Sequence, residues 1–162
     1  MNRTVNLAND FGKYFLEKTL NQPLKIIYNI LPEFGGAYGW IKRNGDEGNG
    51  VGPCIGYSSG WYGDHPVSQE LQDHFSEWQM KFEREVSVWG NEEAFDWSTF
   101  HEVGLELCVR LKQEIGYAAR IIYQKAGEDP NCDVENRLEV LEDGNYLVIK
   151  RRRELGFAFE NK

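Results

Sequence analysis

Three histidines, three cysteines and a surplus of carboxylates are the residues of this 162-residue chain with chemistry to offer. Zinc-binding helices need two histidines one turn apart, and no two of His65, His74 and His101 have that spacing. His101-Glu102 opens like a metalloprotease helix, but Leu105 stands where the second histidine belongs. His74 lies beside an apolar stripe and reads as a solvated or capping side chain, and His65 precedes Pro66 in a loop. No Cys-x-x-Cys occurs, so Cys54, Cys108 and Cys132 do not read as a metal knot. Cys108 falls on a packing face, and Cys54 or Cys132 becomes a nucleophile only if a histidine approaches in space. Glu92-Glu93 and the Glu83/Glu85 pair imitate an acid/base couple but read as a solvated helix face and loop. The run Gly45 to Gly52 lacks the Gly-Lys-Ser/Thr ending of a phosphate loop, and its own Asp46 and Glu47 would repel phosphate. The expectation is therefore no catalytic residue, no metal and no cofactor: a non-enzyme.

Aromatic residues in a glycine-rich setting are more informative. Trp40, Tyr57, Trp61 and Tyr62 lie in or beside loops between residues 35 and 63. Tyrosine and tryptophan on adaptable loops are typical of protein-contact surfaces. Trp61 and Tyr62, between Gly60 and Gly63, are the stronger candidates, whereas Trp40 and Tyr57 also suit ordinary strand positions. The cluster Lys150 to Arg153 suits nucleic acid in principle, but in an acidic chain it reads as pairing with the protein's own carboxylates.

Charge gives the sharpest signal. The net charge is −8. Between Asp64 and Glu106 eleven acidic residues face two basic ones, Lys81 and Arg84, for a local charge of −9. Residues 1–63 carry +1 and residues 107–162 are balanced. A concentrated acidic face repels nucleic acid and anionic membrane and attracts basic proteins.

The elements that must position these groups follow from periodicity. Residues 7–20 read as a short N-terminal helix with Leu7, Phe11, Tyr14, Phe15 and Leu20 on one face, ended by Asn21-Gln22-Pro23. Residues 24–31 read as a buried strand. Tyr38 to Arg43 and Val51 to Ser58 read as a hairpin around a long glycine-rich tip. Val67, Leu71, Phe75, Trp78, Phe82, Val86 and Trp89 make one helical stripe over residues 67–89, stopped by Gly90-Asn91. A second helix is expected from Trp97 to Ile115, with Asp96 as N-cap and Gly116 as C-cap. Its Gly104, in mid-stripe, implies close approach of another backbone. Strands follow at Ala118 to Lys125, Arg137 to Leu141 and Tyr146 to Lys150, the last two turning at Asp143-Gly144. The expected fold is α+β: one domain over residues 1–162, a mostly antiparallel sheet packed against two long central helices, and the short N-terminal helix.

At 41% hydrophobic and 14% aromatic the chain is not a disordered one. It has no apolar run of about 18 residues or more, the length of a membrane span. Its first residues lack the apolar core of a secretory signal, and its cysteines are odd in number and scattered. A cytoplasmic protein is expected.

Residues 93–130 hold Asp96-Trp97, Phe100, Gly104, Leu107, Leu111-Lys112, Gly116, Tyr123, Lys125 and Glu128-Asp129-Pro130. This pattern resembles small bacterial immunity proteins, which protect a cell from polymorphic or contact-dependent growth-inhibition toxins. The resemblance covers about a quarter of the chain. It implies a non-catalytic protein that binds a cognate toxin, commonly a nuclease domain with a basic surface. The charge map agrees, since an acidic face steers onto such a surface. Asp64, Glu70, Asp73, Glu77, Glu92 and Glu93 are the candidate electrostatic contacts, with Trp61 and Tyr62 as apolar anchors. The rival reading is a small ligand-binding or enzymatic α+β domain with a pocket at Trp40, Tyr57 and His65.

Overall fold

β-Branched and aromatic residues dominate the strands, and two capped amphipathic helices interrupt them. A computed structural model describes residues 26–43, 54–86 and 94–149. Its strands are β1 (Ile26–Ile30), β2 (Ala37–Arg43), β3 (Cys54–Gly56), β4 (Arg120–Gln124), β5 (Arg137–Val140) and β6 (Tyr146–Val148). Its helices are α1 (Gln69–Glu85) and α2 (Trp97–Ile115), with a 3-10 turn at Gly116–Ala118 after α2.

The six strands form one sheet in the order β3-β2-β1-β4-β5-β6. The fold is α+β, as expected, but the sheet is mixed. Its central pair, β1 and β4, is parallel, with Tyr28 beside Ile121 and Ile30 beside Tyr123. The other four pairings are antiparallel. A parallel pair needs a crossover, which β2, β3, α1 and α2 together provide. The expected hairpin is the β2–β3 pair, and its glycine-rich tip lies outside the described residues, as does the expected helix at 7–20.

Both helices pack on one face of the sheet. Tyr28, Ile30, Ile121 and Tyr123 alternate toward them and are fully buried. A register shift between Ala37 and Gly39 lets Tyr38 join that face, where its ring stacks on Phe75 at 5.3 Å. Burial pushes the Tyr38 hydroxyl up to about 12, so it stays a phenol. Trp78 of α1 stacks on Phe100 of α2 at 4.7 Å and donates its indole N–H to the Phe100 carbonyl at 3.0 Å. A buried indole is tolerated because its single polar atom is satisfied.

α1 begins where the Ser68 hydroxyl accepts the Leu71 N–H. It ends one turn earlier than its apolar stripe suggests, because Val86 turns to extended φ/ψ while staying buried. α2 has the expected limits: the Asp96 carboxylate accepts the Thr99 N–H, and Gly116 turns out of the helix at φ 71°. Gly104 does mark a close approach, but to aromatic rings rather than backbone. A Cβ there would sit 2.7 Å from both Trp78 and Tyr123.

A solvent-facing groove between two acidic helices

Helical spacing puts Glu70, Asp73 and Glu77 on the side of α1 away from Leu71, Phe75 and Trp78, and all three are exposed. On α2 the same geometry exposes Glu102 and Glu106 opposite Gly104, Leu107 and Cys108. The two outer faces therefore form one surface with five exposed carboxylates on it.

A groove of about 370 Å³ runs between the helices on this surface. Its floor is apolar: Trp78, Phe100 and Leu107, each buried from bulk solvent. Glu77 and Lys81 of α1 form one wall, and Val103, Glu106 and Arg110 of α2 form the other. Arg110 crosses one end, donating to the His74 Nδ1 at 2.8 Å and to Glu70 at 3.1 Å. That donation requires an unprotonated Nδ1, so His74 carries its proton on Nε2. No bond of this kind holds Glu77 or Glu106 among the described residues, so their charge faces solvent. An apolar floor with anionic walls can hold the aliphatic stem of a lysine or arginine while its head meets a carboxylate.

The other candidate residues have different surroundings. Asp64 is held by a two-pronged pair with Arg43, at 2.9 and 2.8 Å, and the guanidinium keeps its carboxyl below the ordinary range. Its charge is largely cancelled locally. Trp61 is half-buried, stacks on Tyr28 at 5.5 Å and donates to the His65 carbonyl at 2.9 Å. It braces the loop, while its neighbour Tyr62 is 65% exposed. Neither lines the groove. Asp73 accepts from Gln69 of its own helix at 2.8 Å. Glu92 and Glu93 lie outside the described residues.

Trp40, Tyr57 and His65 each have different partners. The Tyr57 hydroxyl donates to Glu83, which also accepts the Gly35 and Gly36 N–H groups at 2.7 and 2.6 Å. Burial opposes ionisation of Glu83, but these donors outweigh it and hold its carboxyl low. His65 bonds instead to Tyr28 at 2.7 Å, and Trp40 pairs across β1 with Asn29.

His101 is buried inside the fold. Its Nδ1 lies 2.6 Å from the Tyr123 hydroxyl and its Nε2 lies 2.8 Å from Asp129, which is 3% exposed. Burial lowers its pKa despite Asp129, so the ring is neutral. It donates from Nε2 to the carboxylate and accepts from Tyr123 at Nδ1. These reactive atoms are committed to one another and tie α2, β4 and the loop after β4 together. Cys108 is buried, Cys54 and Cys132 are half-buried, and the histidine bonds described above reach none of them. Among the described residues no three His, Cys, Asp or Glu side chains gather as metal ligands.

Sequence reasoning took Glu70 and Glu77 as contacts, counted Glu106 and Lys81 only in the charge balance, passed over Arg110, and placed Val103 on the buried stripe of the second helix, whereas it is 40% exposed. The available signal was the one-turn spacing of Glu77/Lys81 and Glu106/Arg110 on facing helices. No protein-family model matches the chain, and neither does any curated protein or solved structure.

Proposed function

We propose that the protein is a non-catalytic binding protein that neutralises a cognate toxin with a basic surface, of the nuclease kind. Its acidic outer helical face steers the partner in, and the groove between α1 and α2 receives a lysine or arginine side chain. The observation that carries this reading is the facing pair Glu77 and Glu106 above the floor of Trp78, Phe100 and Leu107. Acidic walls set the rate and choice of encounter, and burial against the aromatic floor supplies residence time. Tyr62 is a further exposed contact at the loop before α1. No helix among the described residues is long and apolar enough to cross a membrane. We assign the protein to the cytoplasm, where a nuclease toxin would act.

The test is a pull-down from the source cells, with the protein as bait, at low and then high salt. The expected result is a basic polypeptide that is released by salt, missed by a Glu77→Lys/Glu106→Lys bait, and inactive as a toxin when wild-type protein is added. Capture that ignores the double substitution, or no basic polypeptide at all, would overturn the reading.

A further inference from the structure

The centre of the sheet contains a second opening, unrelated to the acidic helices. β1 and β4 run parallel as far as Ile30 and Tyr123 and then part. Beyond that point the backbone-to-backbone bonds of the chain after β1 run toward β2, with the Leu31 N–H to the Tyr38 carbonyl and the Glu33 N–H to the Ala37 carbonyl. The chain after β4 bonds the other way, with the Lys125 N–H to the Asn136 carbonyl. The chain thus leaves the parallel pair in opposite directions at its carboxyl ends. In open α/β sheets, strands that part in this way at their carboxyl ends leave a crevice where ligands bind.

A cleft of about 390 Å³ occupies the gap. That volume lies in the range of small-molecule sites, roughly 300–1,000 Å³. Glu33 and Phe34 line one side, and Lys125, Glu128, Cys132 and Asn136 the other. The Asn136 Nδ2 donates to the Cys132 carbonyl at 2.5 Å, which fixes the orientation of the amide. Its Oδ1 is then buried with no hydrogen-bond partner. A buried acceptor without a donor is unfavourable, and a donating ligand would recover that cost. Lys125 does not fill that role: its ammonium donates to the Val134 carbonyl at 2.7 Å and leaves the Asn136 Oδ1 without a partner. Two carboxylates add to the demand for donors: Glu33 is held above the ordinary range chiefly by burial, which one bond from the Trp40 side chain only partly offsets, and Glu128 across the cleft adds to the effect.

The geometry points to a binding site for a small organic cation, with an ammonium or guanidinium group seated between Glu33, Glu128 and the Asn136 Oδ1. The Phe34 ring packs the carbon skeleton. The site is independent of the toxin reading and is tested on the protein alone.

The experiment titrates methylguanidinium chloride into the isotopically labelled protein, with sodium chloride at equal ionic strength as the control, and follows amide NMR shifts. Saturable shifts are expected at residues 31–34, 125–128 and the Asn136 side chain, and sodium chloride should not reproduce them. Glu128→Gln and Glu33→Gln should each weaken binding about tenfold, the loss of one charge-assisted hydrogen bond. Neither change touches a backbone bond that shapes the cleft, and the unshifted remainder of the spectrum reports that each variant folds. Shifts spread over the acidic helices, shifts matched by sodium chloride, or affinity unchanged in both variants would overturn the assignment.

Discussion

Glu114, in the last turn of α2, grips Ser68, the N-cap of α1: its carboxylate accepts the Ser68 N–H at 2.7 Å and the Ser68 hydroxyl proton at 2.6 Å. The serine oxygen still accepts the Leu71 N–H, so one side chain both starts α1 and moors it to α2. The carboxylate also sits where the positive end of the α1 dipole favours it. The clamp thus joins the start of α1 to the last turn of α2, the two helices that wall the groove.

Ser68→Ala removes the cap and orphans part of the Glu114 carboxylate. A loss of about 1–2 kcal/mol is expected. Chemical denaturation should show it as a lower midpoint with unchanged slope. A loss below about 0.5 kcal/mol, the size of a neutral surface change, would mean the clamp is idle.

Gly104→Ala gives a prediction with an informative sign. In an open helix position alanine stabilises by about 1 kcal/mol over glycine. Here the new methyl would meet two buried rings at 2.7 Å, Trp78 and Tyr123, neither the far end of a flexible chain. Overpacking of this kind costs about 1–3 kcal/mol, so net destabilisation is expected. Near-ultraviolet circular dichroism should change with it, because both rings are aromatic reporters. A stabilised variant would place the rings elsewhere.

These elements also show how far sequence patterns reach. The limits of α2 were legible because Asp96 and Gly116 are local signals, read from one turn of chain. α1 reads too long because Val86 continues the stripe after the helix has ended. It is buried in extended backbone, and periodicity cannot tell the two states apart. The parallel β1–β4 pair was not legible, because it joins residues separated by most of the fold and leaves no local mark. The same holds for sites. Charge counting finds an acidic segment, but only the fold shows that Arg43 cancels Asp64 while Glu77 and Glu106 face each other across a groove. The His101–Asp129–Tyr123 network is likewise a product of long-range packing.

That network sets a pH dependence. The folded-state pKa of His101 lies below the ordinary 6.5, chiefly through burial. Below pH 6.5 the unfolded chain therefore binds a proton that the folded protein refuses. Stability should fall as pH drops from that value toward the depressed folded pKa, and be regained as pH rises. The residues facing His101 do not reverse the sign: Asp129 favours the proton, but burial and Lys125 oppose it. The lowered carboxyls of Glu83, Asp64 and Asp96 act in a separate, more acidic window, below their ordinary values of 4.5 and 3.8. Denaturation midpoints between pH 5 and 7 should therefore slope in the wild type and flatten in His101→Gln, which is less stable throughout. An equal slope in the variant would assign the effect to another group.

Association with the proposed toxin partner should respond to the groove walls in a particular way. Glu77 and Glu106 are exposed and carry unpaired charge toward solvent, whereas Asp64 is already matched by Arg43. Steering depends on the net field at the landing site: the double reversal changes the charge of the groove walls themselves twice over, whereas Asp64→Asn removes one charge away from the groove. Glu77→Lys/Glu106→Lys should slow association about tenfold at low salt and flatten its dependence on ionic strength. Asp64→Asn should leave the association rate nearly unchanged. Val103→Ala, which shaves an apolar wall, should instead speed dissociation with little effect on approach. Stopped-flow mixing at two salt concentrations separates the three outcomes. Equal slowing by Asp64→Asn and by the double reversal would mean that the partner approaches along the loop before α1, and that the groove between the helices is not its landing site.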